Sequence, residues 1–405
     1  MMNKRPTITT LVWFALLSML GFLATDMYLP AFDTLRTYFD TSANQVGLTL
    51  TIFVSGLAGG QLLYGPLSDR YGRNITLSVG LIIFTIGSLL CSFASSIEFL
   101  IAARFLQALG ACSASVLWQA IVLDRYDSET TEKVFATIMP LLALSPALAP
   151  LLGAAVETQF NWQAIFLFSA LLGGVLLVFT RLEAKNDVEQ EKSPICLKKI
   201  GASYQEMLSS KKFIGYVMIF GGCAGAFFAY LTAAPLLMAE MGYSGSDIGL
   251  SFVPQTIAFI VGGYGCRFLL NRFSGNQLLP WGLKLFVLSI VIMLVVSLRL
   301  ELTSFWPILA PFCLLAVANG AVYPIVINAG LKPFKHISAT AAGLMNFLQM
   351  SICFICSGLV SALISHGIIA MTGVMTVCAV MVFVGYILCY ERPHLQTDSK
   401  QPQVA

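Results

Sequence analysis

Charge is what this sequence of 405 residues has least of: 23 Lys and Arg with 20 Asp and Glu make up 11% of it. Soluble domains carry about 25%. That shortage, with 57% hydrophobic residues and a mean hydropathy of +0.82, excludes a disordered, fibrous or ordinary cytosolic protein and points to an integral membrane protein. The net charge of +3 is small and the basic residues form no stripe, so nucleic acid is not an expected partner. Histidine is scarce too. His336, His366 and His394 all fall in loops or termini, which disfavours a histidine proton relay. There is no G-x-x-x-x-G-K-[ST] loop, no H-E-x-x-H and no G-x-S-x-G. The expectation is a protein that is not an enzyme and uses no cofactor and no metal. Cysteine is present but uninformative: Cys91, Cys112, Cys223, Cys313 and Cys378 lie inside apolar runs and pack as small hydrophobes, as does the pair Cys353 and Cys356.

The gaps between charges carry the architecture. No Asp, Glu, Lys or Arg occurs in 6–25, 41–68, 74–97, 134–156, 158–180, 213–239, 302–331 or 336–390. About 20 apolar residues cross a bilayer as a helix. Dividing the longest run at Ser365-His366-Gly367, and adding the runs around Arg104, Gln255 and Lys284, predicts twelve spans near 9–32, 44–66, 75–96, 98–122, 134–156, 162–181, 212–238, 247–270, 279–299, 304–328, 338–364 and 369–390. With both termini cytoplasmic, nineteen Lys and Arg fall inside, two (Arg36 and Arg299) outside, and Arg104 and Lys284 within spans. The polar stretch 183–211 divides the spans six and six. The expected units are an N-terminal six-helix bundle (1–182), a cytoplasmic linker (183–211) with a tethering role and an amphipathic helix near 200–208, a C-terminal six-helix bundle (212–392) and a tail (393–405). Such an all-α membrane protein suits a transporter whose halves rock about a midplane site.

An ionised group in mid-span costs roughly 2.5 to 3.5 kcal/mol on insertion scales, so it usually faces a partner or a wet cavity. Asp26 and Arg104 stand out. At 1.5 Å per residue both lie about 8 to 9 Å below the outer surface of the hydrocarbon core. Either Asp26 titrates, bound to a proton in one state and paired with Arg104 or polarised by substrate in another, or the two form a permanent structural ion pair holding the first and fourth spans together.

The loop after the second span reads GPLSDRYGR, Gly65 to Arg73. It resembles the loop 2–3 signature of the major facilitator superfamily, and RFLQALG (Arg104 to Gly110) resembles that family's fourth-span motif. ATDMYLPAF (24–32), SPALAPLLG (145–153) and NWQAIF (161–166) are similar to its Bcr/CflA branch of drug:proton antiporters. The resemblance implies the major facilitator fold, a bacterial inner-membrane location, a proton-coupling role for Arg104, and a cytoplasmic latch from Gly65, Asp69, Arg70, Gly72, Arg73 and Asp124. In one respect the chain departs from the pattern: the antiporters' fifth-span Gly-Pro-x-x-Gly-Gly is replaced by Ser145-Pro146 and Pro150-Leu151-Leu152-Gly153.

The candidate substrate contacts are Tyr28, Gln107 and Trp118 in the first half and Phe227, Tyr230, Gln255, Asn319, Tyr323 and Asn346 in the second. Aromatic faces stack on flat rings and amides match base edges. One deep carboxylate stands against span amides such as Gln107, Gln119, Gln255, Asn319, Asn346 and Gln349. This composition favours a neutral, hydrogen-bonding solute. VPQTIAFIVGGYGCR (253–267) and ANGAVYPIV (318–326) resemble purine nucleoside transporters of the same branch. The expected function is proton-coupled transport of purine nucleosides or nucleobases by alternating access; the alternative is drug:proton efflux. The expected partners are that solute or a drug-like compound, protons and membrane lipid, and the protein is expected to be a monomer.

Overall fold

The computed structural model describes residues 6–183, 197–243, 245–299 and 304–389. The tail and the charged part of the linker, 184–196, lie outside the described residues. The chain runs through α1 (Ile8–Asp26), a 3-10 turn (Leu29–Ala31), short α2 (Phe32–Tyr38), α3 (Ala43–Tyr71), α4 (Arg73–Ser92), α5 (Ile97–Arg125), α6 (Ser128–Gln159) and α7 (Trp162–Glu183). The linker helix α8 (Leu197–Ser209) follows, and then α9 (Lys211–Glu240), α10 (Gly245–Leu269), α11 (Gly275–Arg299), α12 (Trp306–Leu331), α13 (Ser338–Ala362) and α14 (Ile368–Cys389).

Among the described residues, nine stretches are long and apolar enough to span a bilayer, and one of them, Trp306–Ala362, holds both α12 and α13. With α6 and α10, twelve long helices stand in two groups, α1 and α3–α7 against α9–α14. Their ends are set by local chemistry. Thr7, Ser42, Ser96 and Asp127 each accept a backbone N–H from the first turn of α1, α3, α5 and α6, donors for which a bilayer offers no water. The first helix stops at Asp26, six residues short of the predicted end of its span. The reason is Pro30, which has no N–H for the Asp26 carbonyl and turns the chain into 3-10 geometry.

The outer surface is apolar, with Leu151, Phe268, Phe354 and Val377 exposed to what would be lipid. Inside, α5 packs on α1, α3 and α4, and α9 on α12, α13 and α14. The two groups meet where α13 lies on α3 and α5, and α6 on α10 and α12.

Candidate functional site

Polar side chains gather at two levels: the linker end of the bundle, and the interior toward its other end. At the linker end, α3 closes with Asp69, and Gly72 takes φ +93°, a left-handed turn that suits glycine and starts α4 at once on Arg73. The Arg73 guanidinium is buried. It binds the Asp69 carboxylate, the Asp124 carboxylate of α5 (Nε to Oδ2, 2.8 Å), Ser68 Oγ (2.8 Å) and Ser338 Oγ of α13 (2.9 Å). Ser338 in turn donates to Asp124 Oδ1 at 2.9 Å.

Asp69 also reaches across to the second bundle. Its Oδ2 accepts the Thr340 backbone N–H at 3.1 Å and the Thr340 hydroxyl. The residue before α13 supplies no side-chain cap, so a carboxylate from the other bundle takes that place at the positive end of the helix. Gly65 makes this approach possible, because a Cβ there would stand 2.6 Å from Thr340 Cα. Beside the latch, Asn328 Nδ2 of α12 donates to Ser128 Oγ (2.9 Å) and Glu132 Oε1 (2.8 Å) of α6. One level further in, Asn346 Nδ2 donates to Gln119 Oε1 at 3.3 Å. These bonds join the bundles at the linker end. Of the predicted latch, Gly65, Asp69, Gly72, Arg73 and Asp124 come together; Arg70 instead lies over the Tyr71 ring, 4.8 Å from its centroid.

The second level is built around Arg104. Its side chain is fully buried, and Nη1 donates to the Ala24 carbonyl (2.9 Å) and to Gln107 Oε1 (2.6 Å). Ala24 lies in the last turn of α1, so the guanidinium caps the negative end of a helix that Pro30 has cut short. The guanidinium carbon lies 4.1 Å from the Tyr28 centroid, 4.1 Å from that of Phe53 and 5.7 Å from that of Phe166. An aromatic box therefore surrounds it. Nε and Nη2 have no hydrogen-bond partner among the described residues. Asp26, on the same turn, is half-buried and within electrostatic range of Arg104. No hydrogen bond or ion pair of Asp26 is found among the described residues.

Tyr28 Oη shares a hydrogen bond with Thr49 Oγ1 at 3.0 Å. The Gln107 amide is already committed, its Oε1 to Arg104 and its Nε2 to Ser88 Oγ (2.9 Å), so it braces α4 against α5. Trp118 is buried edge-on to Phe135, 5.3 Å between ring centroids.

In the second bundle, Tyr230 stacks on Phe312 with Phe227 beside them. Tyr323 packs between Phe220 and Phe259, at 5.0 and 5.7 Å. Asn319 Nδ2 donates to the Cys223 carbonyl at 3.1 Å. Tyr230 Oη, Gln255 Oε1 and Asn319 Oδ1 are buried without a partner among the described residues. A buried polar atom in a finished core is nearly always satisfied, so these three oxygens are candidate contacts for a ligand.

Sequence reasoning missed Phe53, Phe166 and Phe312 as walls, and Ser338, Thr340, Asn328 and Glu132 as partners across the halves. Phe166 sits in the quoted NWQAIF stretch; Ser338 and Thr340 open a predicted span. Phe53 gave no signal, since it is one aromatic residue in an apolar run.

The pattern described as Major Facilitator Superfamily matches residues 14–357. A bicyclomycin resistance protein homolog of Haemophilus influenzae is 26% identical over 395 residues, covering 97% of this chain and 98% of that protein. Multidrug resistance protein D of Escherichia coli is 25% identical over 351 residues, 86% and 87% of the two chains. Among solved structures, the E. coli fucose:proton symporter FucP superposes with a TM-score of 0.76 at 13% identity, over 96% of this chain and 100% of that one. The chain belongs to the major facilitator superfamily, a family of transporters, and it groups with the Bcr/CflA branch.

Proposed function

We propose that this protein exports small lipophilic compounds across the bacterial inner membrane in exchange for protons. Asp26 carries the proton, and the linker end of the bundle is cytoplasmic. One observation supports this most: an acid with no bond of its own among the described residues stands on the same turn of α1 as Ala24, whose carbonyl is held by a buried guanidinium with two unfilled nitrogens. A charged carboxylate can turn to those nitrogens and be stabilised there; a protonated one gives them up. Exchange between these two arrangements gives Asp26 two states, the minimum a coupled cycle needs.

Closure at the linker end would then be the outward-facing state, in which Asp26 takes up a proton from outside and the exported compound leaves. The latch opens on the return, and the proton is released inward as the next molecule binds. One proton moving down ~150 mV supplies roughly 3.5 kcal/mol, enough for a few hundredfold gradient of a neutral solute.

The relatives' names, bicyclomycin resistance and multidrug resistance, favour export of drug-like compounds over the nucleoside reading drawn from the sequence. The aromatic walls at Tyr28, Phe53, Phe166, Tyr230 and Phe312 suit the same class. Purine nucleoside transport stays as the second reading because the free oxygens of Gln255 and Asn319 would accept hydrogen bonds from a base. Proteoliposomes with an imposed pH gradient separate the two. Gradient-driven flux of lipophilic antibiotics, unaffected by excess adenosine, is expected; adenosine flux insensitive to those antibiotics would reverse the assignment.

A further inference from the structure

The linker helix has more to do than tie two bundles together. Within α3, Pro66 stands one turn before the Asp69 end of the latch, and a proline has no N–H to give to the carbonyl four residues back. That carbonyl belongs to Leu62. It would be left without its helical partner beside the interface, where an unmet backbone group is costly. The structure gives it another donor: Tyr204 Oη of α8 donates to Leu62 O at 2.7 Å.

The contrast with α6 is direct. There Pro146 likewise leaves the Leu142 carbonyl without a helical donor, and Ser145 of the same helix supplies one at 2.6 Å. A helix that repairs itself ties nothing to anything. In α3 the repair comes from a separate segment, and that segment is itself anchored: Met207 of α8 is fully buried, and the helix packs on α9 and α13 of the second bundle. The Tyr204 hydroxyl is the donor at every physiological pH, since burial and the nearby Asp69 carboxylate push its pKa up to about 12.

We propose that α8 is a strap across the linker-end gate: Tyr204 completes the α3 backbone that Pro66 interrupts, and thereby holds α3 of the first bundle to α9 and α13 of the second while the gate is shut. Opening the gate draws α3 away from α13, so the Tyr204 bond and the Asp69 cap must break together. The strap sets the balance between closed and open states. It uses only the alternating-access part of the function proposed above, and it needs neither a substrate nor Asp26.

Hydrogen–deuterium exchange of the full chain in lipid nanodiscs, with no substrate and no pH gradient, tests this apart from any transport assay. Tyr204→Phe keeps the ring and removes the donor. Exchange at the linker ends of α3 and α13 is expected to rise roughly three- to tenfold, the range of one net hydrogen bond, while α11 and α14 stay as they were. In a Pro66→Ala background the restored N–H serves Leu62, so the same substitution should add less than about twofold. If Pro66→Ala does not fold, Met207→Ala takes its place. It loosens the seat of α8 and should give the same local pattern as Tyr204→Phe. The proposal is overturned if Tyr204→Phe leaves exchange at α3 and α13 unchanged, if it has the same effect with and without Pro66, or if either variant speeds exchange evenly through both bundles.

Discussion

The Arg73 latch and the polar interior around Arg104 treat hydrogen bonds in opposite ways. At the linker end, Arg73, Asp69, Asp124, Ser338 and Thr340 fill one another's valences across two bundles. In the interior, Arg104, Tyr230, Gln255 and Asn319 each keep a buried polar atom with no partner among the described residues. Both levels also cap a helix from outside, Asp69 at the start of α13 and Arg104 at the end of α1. The difference lies in what is left over. A satisfied network is a lock with one low-energy arrangement, while an unsatisfied one holds polar atoms that a ligand or a moving side chain could still bond. Stability should therefore depend on the first level and transport on the second.

The largest effect that would break this comparison is at Asp69. Asp69→Ala leaves the Arg73 guanidinium buried with one of its two carboxylates and α13 uncapped, which should cost about 3 to 5 kcal/mol in the closed state. Thermal unfolding of the detergent-purified protein, read beside its yield, measures this. An unchanged melting temperature would show that the latch is ornamental.

A smaller effect of the opposite kind is expected inside. Gln255→Leu removes an amide whose oxygen has no partner, so stability should hold or improve by up to about 1 kcal/mol. Solute flux should fall about tenfold if that oxygen meets the substrate. A marked loss of stability with normal flux would move Gln255 to the structural class.

The smallest expected effect is a dependence on pH at the gate. Burial between the bundles raises the pKa of Glu132 above the usual value of 4.5, with Asn328 and Lys332 opposing and Glu129 adding to the rise; Lys133 pairs with Glu129. Opening returns Glu132 to water and to its ordinary value. The closed state thus gains from protonation, an advantage fully present below 4.5 and lost as pH rises through the raised value. Exchange at the linker end should quicken over that window in the wild type. Glu132→Gln should flatten the profile; a slope that survives the substitution assigns the titration to another group.

Much of the frame could be read directly from the chain, because charge is expensive in lipid and its absence outlines each span. Pro30 explains why the first helix ended early, and a stricter reading of that proline would have placed the stop. GPLSDRYGR led to the latch, but its partners across the interface did not show: a Ser or Thr at the start of a helix is common and carries no mark of what it meets. Gln107 illustrates a second limit. Its amide is held by Ser88 and Arg104, and spacing along one helix gives the face but not the neighbour. Phe53 was hidden for the same reason. Only packing distinguishes a cage wall from any other apolar side chain.

The central claim is that Asp26 is free to titrate beside an unfilled Arg104, and flux driven by a pH gradient in proteoliposomes tests it most directly when wild type is set against Asp26→Asn. The account predicts that the variant loses gradient-driven flux, by about a hundredfold or more, while exchange of labelled for unlabelled solute continues. Gradient-driven flux at the wild-type level in Asp26→Asn would contradict it and send the proton to another residue.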